Sequence, residues 1–136
     1  TAFALKTYKG KHHNGIDIGA PIGTPIYSAE DGEIVFTANQ DNFCRGAGYG
    51  KVIVVKHNNN LTTLYGHLSQ QSVSVGQKVK RGDVIGYMGK TGWATGSHLH
   101  FVVFGSATYY VKPTRSCGPM PVGGDLDPTK YVSHAP

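Results

Sequence analysis

At 136 residues, with 39% hydrophobic and 15% charged side chains, the chain is sized for one domain (1–136) around a single buried core. No apolar run approaches the ~20 residues of a bilayer-spanning helix. The 13 basic and 8 acidic residues leave a net charge of +5 that is scattered along the chain. It forms no dense basic run with interleaved aromatics, so a nucleic-acid partner is not expected. The excess reads as a soluble basic surface, with attraction to an anionic polymer as the functional alternative. The 19 glycines between short β-branched runs favour an all-β architecture with tight turns. With Thr1 first, no initiator methionine and no signal-peptide pattern, a processed chain or an excised domain is expected.

In chain order, residues 1–11 lack periodicity and are read as a lead-in. Within residues 12–19, His13, Gly15 and Asp17 share one parity. An extended segment separates His13 from Asp17 by roughly 13 Å at their Cα atoms. A metal shared by the two therefore requires the chain to curve, and Gly15 is the residue that permits it. Residues 20–25 form a turn cluster, 26–29 a short strand, 30–32 a turn and 33–38 a second strand. Residues 39–50 read as a long glycine-rich loop carrying Cys44. A buried strand over 51–57, an asparagine turn over 58–60 and a returning strand over 61–68 follow, the last delivering His67 near its end. Residues 76–85 echo residues 23–35 as a weak internal repeat of turn-strand-turn-strand units. A polar loop over 90–96 carries Trp93 and leads into a strand up to Phe104. The tail from 107 to 136 holds five of the seven prolines, which predicts mostly loop with one strand near 108–112. No long helix is expected.

The strand reading places His98 and His100 on one face, roughly 7 Å apart, with Leu99, Phe101 and Val103 turned into a core. Two imidazoles side by side on a rigid strand suggest a metal site. Catalytic zinc takes three protein ligands and keeps one position open. The economical set is His13, Asp17 and one of His98 and His100. The other member of that pair and His67 are then left for proton transfer, and spacing does not say which member binds. His12 reads as solvent-facing, with its adjacency to His13 making it the minor alternative as a ligand. There is no HExxH helix, and Glu30 and Glu33 are not in metal-site spacing, so histidine takes over general acid–base work. His57 ends a framework strand and His134 lies in the tail. Tyr49 and Tyr65 either aim hydroxyls at a developing oxyanion or pack a strand, and Trp93 either floors a groove or packs a loop. Cys44 and Cys117 lack metal-site spacing and are expected to form a disulfide in an oxidising compartment.

His13-Asn14-Gly15-Ile16-Asp17, Tyr65-Gly66-His67-Leu68 and His98-Leu99-His100, in that order, resemble the lysostaphin/LytM-type peptidoglycan metalloendopeptidases. The similarity extends through residues 48–57, 75–86, 89–96 and 126–128, nearly the whole chain. It implies an all-β fold of mainly antiparallel sheets, a LytM-like duplicated hybrid motif with a groove over the metal. It further implies Zn2+ held by His13, Asp17 and His100, with His67 and His98 as the catalytic pair. The implied activity is zinc-dependent hydrolysis of peptide cross-links in bacterial peptidoglycan, by a monomer that is secreted, periplasmic or cell-wall associated. The alternative is an inactive domain of the same fold serving as a wall-binding or regulatory module. With all five positions filled, activity is favoured. A carrier or carbohydrate-binding β domain, suggested by residues 75–86, leaves the histidines unexplained. One departure is Val102, where the family commonly has a glutamate.

Overall fold

Four consecutive β-branched residues, Val52 to Val55, make β6 (Lys51–His57) the most committed strand in the chain. All four are buried because both faces of the sheet are covered. Ile53 and Val55 pack with Tyr65, Leu99, Phe101 and Val103 in one apolar cluster. Val52 and Val54 pack with Leu64, Val102 and Phe104 in a second, on the opposite face. The computed structural model describes residues 4–5, 8–12, 15–19, 21–42, 49–58, 60–89, 98–106, 109–115, 118–123, 125–126 and 133–134. For 4–5, 8–12, 15–18, 41, 98, 125–126 and 133–134 it gives the backbone alone.

The strands before β6 are β1 (Ala4–Leu5), β2 (Tyr8–His12), β3 (Gly15–Gly19), β4 (Pro25–Tyr27) and β5 (Gly32–Asn39). A 3-10 turn spans Gln40–Asn42. After β6 come β7 (Leu61–Gln71), β8 (Lys78–Val79), β9 (Val84–Met88) and β10 (His98–Gly105). The tail adds β11 (Tyr110–Thr114), β12 (Gly118–Val122), β13 (Asp125–Leu126) and β14 (Ser133–His134). The main sheet runs β2-β3-β10-β7-β6-β5-β8, with β13 on β10 and the β4–β9 pair on β7. Its pairings are antiparallel; among the described residues only β1 and β14 pair in parallel. No helix of the described residues is long and apolar enough to cross a membrane.

The internal echo has a structural counterpart. Gly23 and Gly76, which correspond in the repeat, have φ of 91° and 93°, a conformation open to glycine. The short strand of each unit pairs with the long strand of the other, β4 with β9 and β8 with β5. Asn60 closes the β6–β7 hairpin at φ 63°, where asparagine is tolerated.

Three expectations are corrected. Residues 8–12 form a strand, because β3 supplies a backbone ladder that needs no apolar pattern of its own. β7 continues to Gln71, because β9 takes over as partner where β10 ends. Among its described residues the tail holds four short strands in place of one. There Pro113 pairs with Pro119 and Val111 with Pro121 in a two-stranded ribbon, whose free edges accommodate residues lacking an N–H. Cys44, Cys117 and Trp93 lie outside the described residues.

Candidate active site

Pairing along β10 brings together segments far apart in sequence. His100 stands in register with Asp17 of β3 on one side and Gly66 of β7 on the other. His98 stands opposite Gly19. Register partners in an antiparallel ladder lie about 4.5–5.5 Å apart at their Cα atoms. Asp17 and His100 are thus neighbours at the backbone, and His67 follows the other neighbour directly. His13 lies outside the described residues, between His12 and Gly15, which pair across β2 and β3.

His67 reaches the site through a bulge. Lys51 pairs with Leu68 and Ile53 with Tyr65, so Gly66 and His67 together oppose Val52. Such an insertion bends a strand and re-aims a side chain. His67 has φ 64°, a left-handed conformation that costs a residue with a Cβ about 1–2 kcal/mol. Its N–H donates to the Tyr49 carbonyl at 2.7 Å, which helps fix that conformation. The His67 and His100 rings are 6.0 Å apart between centroids and tilted by 57°, and both are buried. Tyr49 stacks on His100 at 5.7 Å with a 23° interplanar angle. A Cβ on Gly66 would come within 3.2 Å of the Tyr49 ring, so the glycine lets that ring lie against the strand.

Tyr65 belongs to the core. Its ring packs on Phe101 with centroids 5.4 Å apart. Its hydroxyl accepts from the Ala29 N–H and the Thr63 hydroxyl, both at 2.9 Å. Thr63 Oγ1 also meets Nε2 of His57 at 2.8 Å, and Nδ1 of His57 lies 2.9 Å from the Asp31 carbonyl oxygen. Burial pushes the Tyr65 phenol above its usual pKa of 10.0. Burial likewise holds His57 below its ordinary 6.5, outweighing the opposing hydrogen bond to Asp31 and the nearby charge of Glu30. Of the two tyrosines weighed for the site, Tyr49 is the one that stacks on His100. Val102, on the His100 side of β10, belongs with Leu64 and Phe104 to the second apolar cluster.

The residue that sequence reasoning passed over is Gln40. It is fully buried, and its Oε1 accepts the Tyr49 N–H at 2.6 Å. Residues nine apart across a loop carry no periodic signal, so only the fold reveals this link.

Two imidazoles and a carboxylate make an N/O donor set suited to zinc with a position left open. The register of Asp17 with His100 fits that set. Among the described residues no three donor side chains form a complete metal-binding group.

The chain is 46% identical over 89 residues to the peptidoglycan DD-endopeptidase ShyA of Vibrio cholerae serotype O1. That match takes in 65% of this chain and 19% of the relative, so the chain spans about a fifth of the curated protein. Among solved structures it resembles the catalytic domain of the antimicrobial peptidase lysostaphin from Staphylococcus simulans. There the TM-score is 0.68 and identity 28%, over 96% of this chain and 88% of that one. It also resembles a zinc-containing peptidase from Vibrio cholerae, with TM-score 0.66 and 30% identity over 89% of this chain and 39% of that one. The model of peptidase family M23 matches residues 11–113, which contain every segment that pairing gathers around His100. On that match, spanning most of its length, the chain belongs to peptidase family M23, a family of metallopeptidases.

Proposed function

We propose that this chain is a zinc-dependent endopeptidase that hydrolyses peptide cross-links of bacterial peptidoglycan outside the cytoplasm. The observation that carries the reading is the convergence on β10. Asp17 and His100 are register partners, and the His67 ring lies 6.0 Å from that of His100. His13, Asp17 and His100 are the residues assigned to hold zinc. Bound there, zinc supplies Lewis acidity toward a peptide carbonyl and activates water near neutral pH. The imidazoles of His67 and His98 take the proton of the attacking water and return it to the leaving amide nitrogen. Burial of His67 and His100 limits competing water at that point. The relative named as a peptidoglycan DD-endopeptidase supports the substrate class.

The test is digestion of purified cell walls by the zinc-loaded protein, with the new amine termini identified. His67→Ala is expected to retain zinc and lose turnover, and His100→Ala to lose zinc. Stoichiometric zinc with no release of amine termini by the unmodified chain would instead favour a wall-binding module.

A further inference from the structure

We propose that Gln40 is a positioning residue for the active site, acting on His67 and His100 through Tyr49. The inference rests on the proposed hydrolase function for its kinetic consequence, and on hydrogen bonds and ring contacts for its geometry. Gln40 is fully buried and opens the 3-10 turn that follows β5. Its own N–H donates to the Gly50 carbonyl at 2.7 Å, and its Oε1 accepts from the Tyr49 N–H at 2.6 Å. Two adjacent residues, Tyr49 and Gly50, are thereby fixed by one side chain and its backbone.

Tyr49 touches His67 and His100 in different ways. Its carbonyl accepts the N–H of His67, the residue held at φ 64°, at 2.7 Å. Its ring stacks on His100. Movement of residue 49 therefore displaces the backbone of one histidine and the ring of the other together. Gly66 leaves that ring little room to move, since even a methyl group there would press on it.

The far end of the Gln40 carboxamide faces the tail ribbon. Nε2 lies 3.4 Å from the Pro119 carbonyl oxygen and 3.3 Å from Sδ of Met120, both on β12. At these lengths the contacts orient the amide and add little strength. They fix which end is the oxygen, because Pro119 offers an acceptor and Tyr49 a donor. The β11–β12 ribbon thus reaches the histidines through one amide.

Gln40→Met keeps the volume and removes the acceptor for the Tyr49 N–H. Gln71, whose Nε2 donates to the Ala38 and Val52 carbonyls at 2.8 Å each, serves as the control. It lies in the same sheet, and its side-chain hydrogen bonds go to neither Tyr49 nor the two histidines. In zinc-loaded protein, Gln40→Met is expected to lower kcat for wall digestion about tenfold with KM within about twofold. Gln71→Met is expected to leave it unchanged at a comparable loss of melting temperature. The His100 ring protons, shifted by the stacked Tyr49 ring, are expected to move in the NMR spectrum of Gln40→Met and not of Gln71→Met. Wild-type kcat together with unmoved His100 signals in Gln40→Met overturns the proposal. Equal kcat losses in the Gln40 and Gln71 variants overturn it too. A wild-type protein that fails to cut walls removes the hydrolase reading, while the His100 signals still decide the positioning role.

Discussion

Replacing Tyr65 by phenylalanine separates the architecture of this domain from its chemistry. The Tyr65 hydroxyl is fully buried and accepts the N–H of Ala29, which is itself 8% exposed. Removing the oxygen strands that N–H without an acceptor, at a cost of about 1–3 kcal/mol. Unfolding entropy of about 2.1 cal/mol/K per residue gives ~0.29 kcal/mol/K for a chain of 136 residues. The melting temperature of Tyr65→Phe is therefore expected to fall by about 3–10 °C. Because the hydroxyl sits with Thr63 and His57 and not with His100, kcat for wall digestion well below the melting point is expected to stay within about twofold of wild type. Thr63→Val should be non-additive with Tyr65→Phe, since both remove the same bond; a coupling of about 0.5–3 kcal/mol is the range for contacting groups. Calorimetry of both single variants and the double variant, with wall digestion at 25 °C, makes the measurement. An unchanged melting temperature with a collapsed kcat would show that the hydroxyl acts on substrate and that the geometry has been misread.

His57 predicts a pH signature in stability. Its folded pKa lies below the unfolded 6.5, so on acidification the unfolded chain takes up the proton first. Stability is then complete above pH 6.5 and declines as pH falls from there toward the folded value. In denaturant melts between pH 8 and 5, His57→Gln should show a shallower decline than wild type, and equal slopes would refute the assignment. Gly86→Ala places a Cβ 2.7 Å from the Gln70 carbonyl oxygen, backbone held in β7, and is expected to cost about 1–3 kcal/mol in urea unfolding. An unmoved midpoint would contradict it. The Tyr109 hydroxyl is buried without a hydrogen-bond partner among the described residues, and burial pushes its pKa up to about 12. Tyr109→Phe is accordingly expected to raise stability by up to about 1 kcal/mol, and a clear loss would reveal a partner for that oxygen.

Much of this was legible along the chain. The β-branched run of β6, the alternation of Leu99, Phe101 and Val103, and the asparagine turn at 58–60 are local signals of spacing and turn chemistry, and the structure follows them. The short order of His13, Asp17, His67, His98 and His100 carried the family resemblance, since each motif is contiguous. Strands without an apolar pattern, β2 and those of the tail, were not legible, because a backbone ladder on a neighbouring strand can hold them whatever their side chains. The sequence alone thus determined a β fold and the chemical character of the candidate donors. Only the tertiary structure decided that Asp17 meets His100, that a bulge turns His67 toward it, and that Gln40 anchors Tyr49 against both histidines. Register, bulges and buried side-chain bonds arise between segments that pairing brings together, and no local pattern in either segment specifies them.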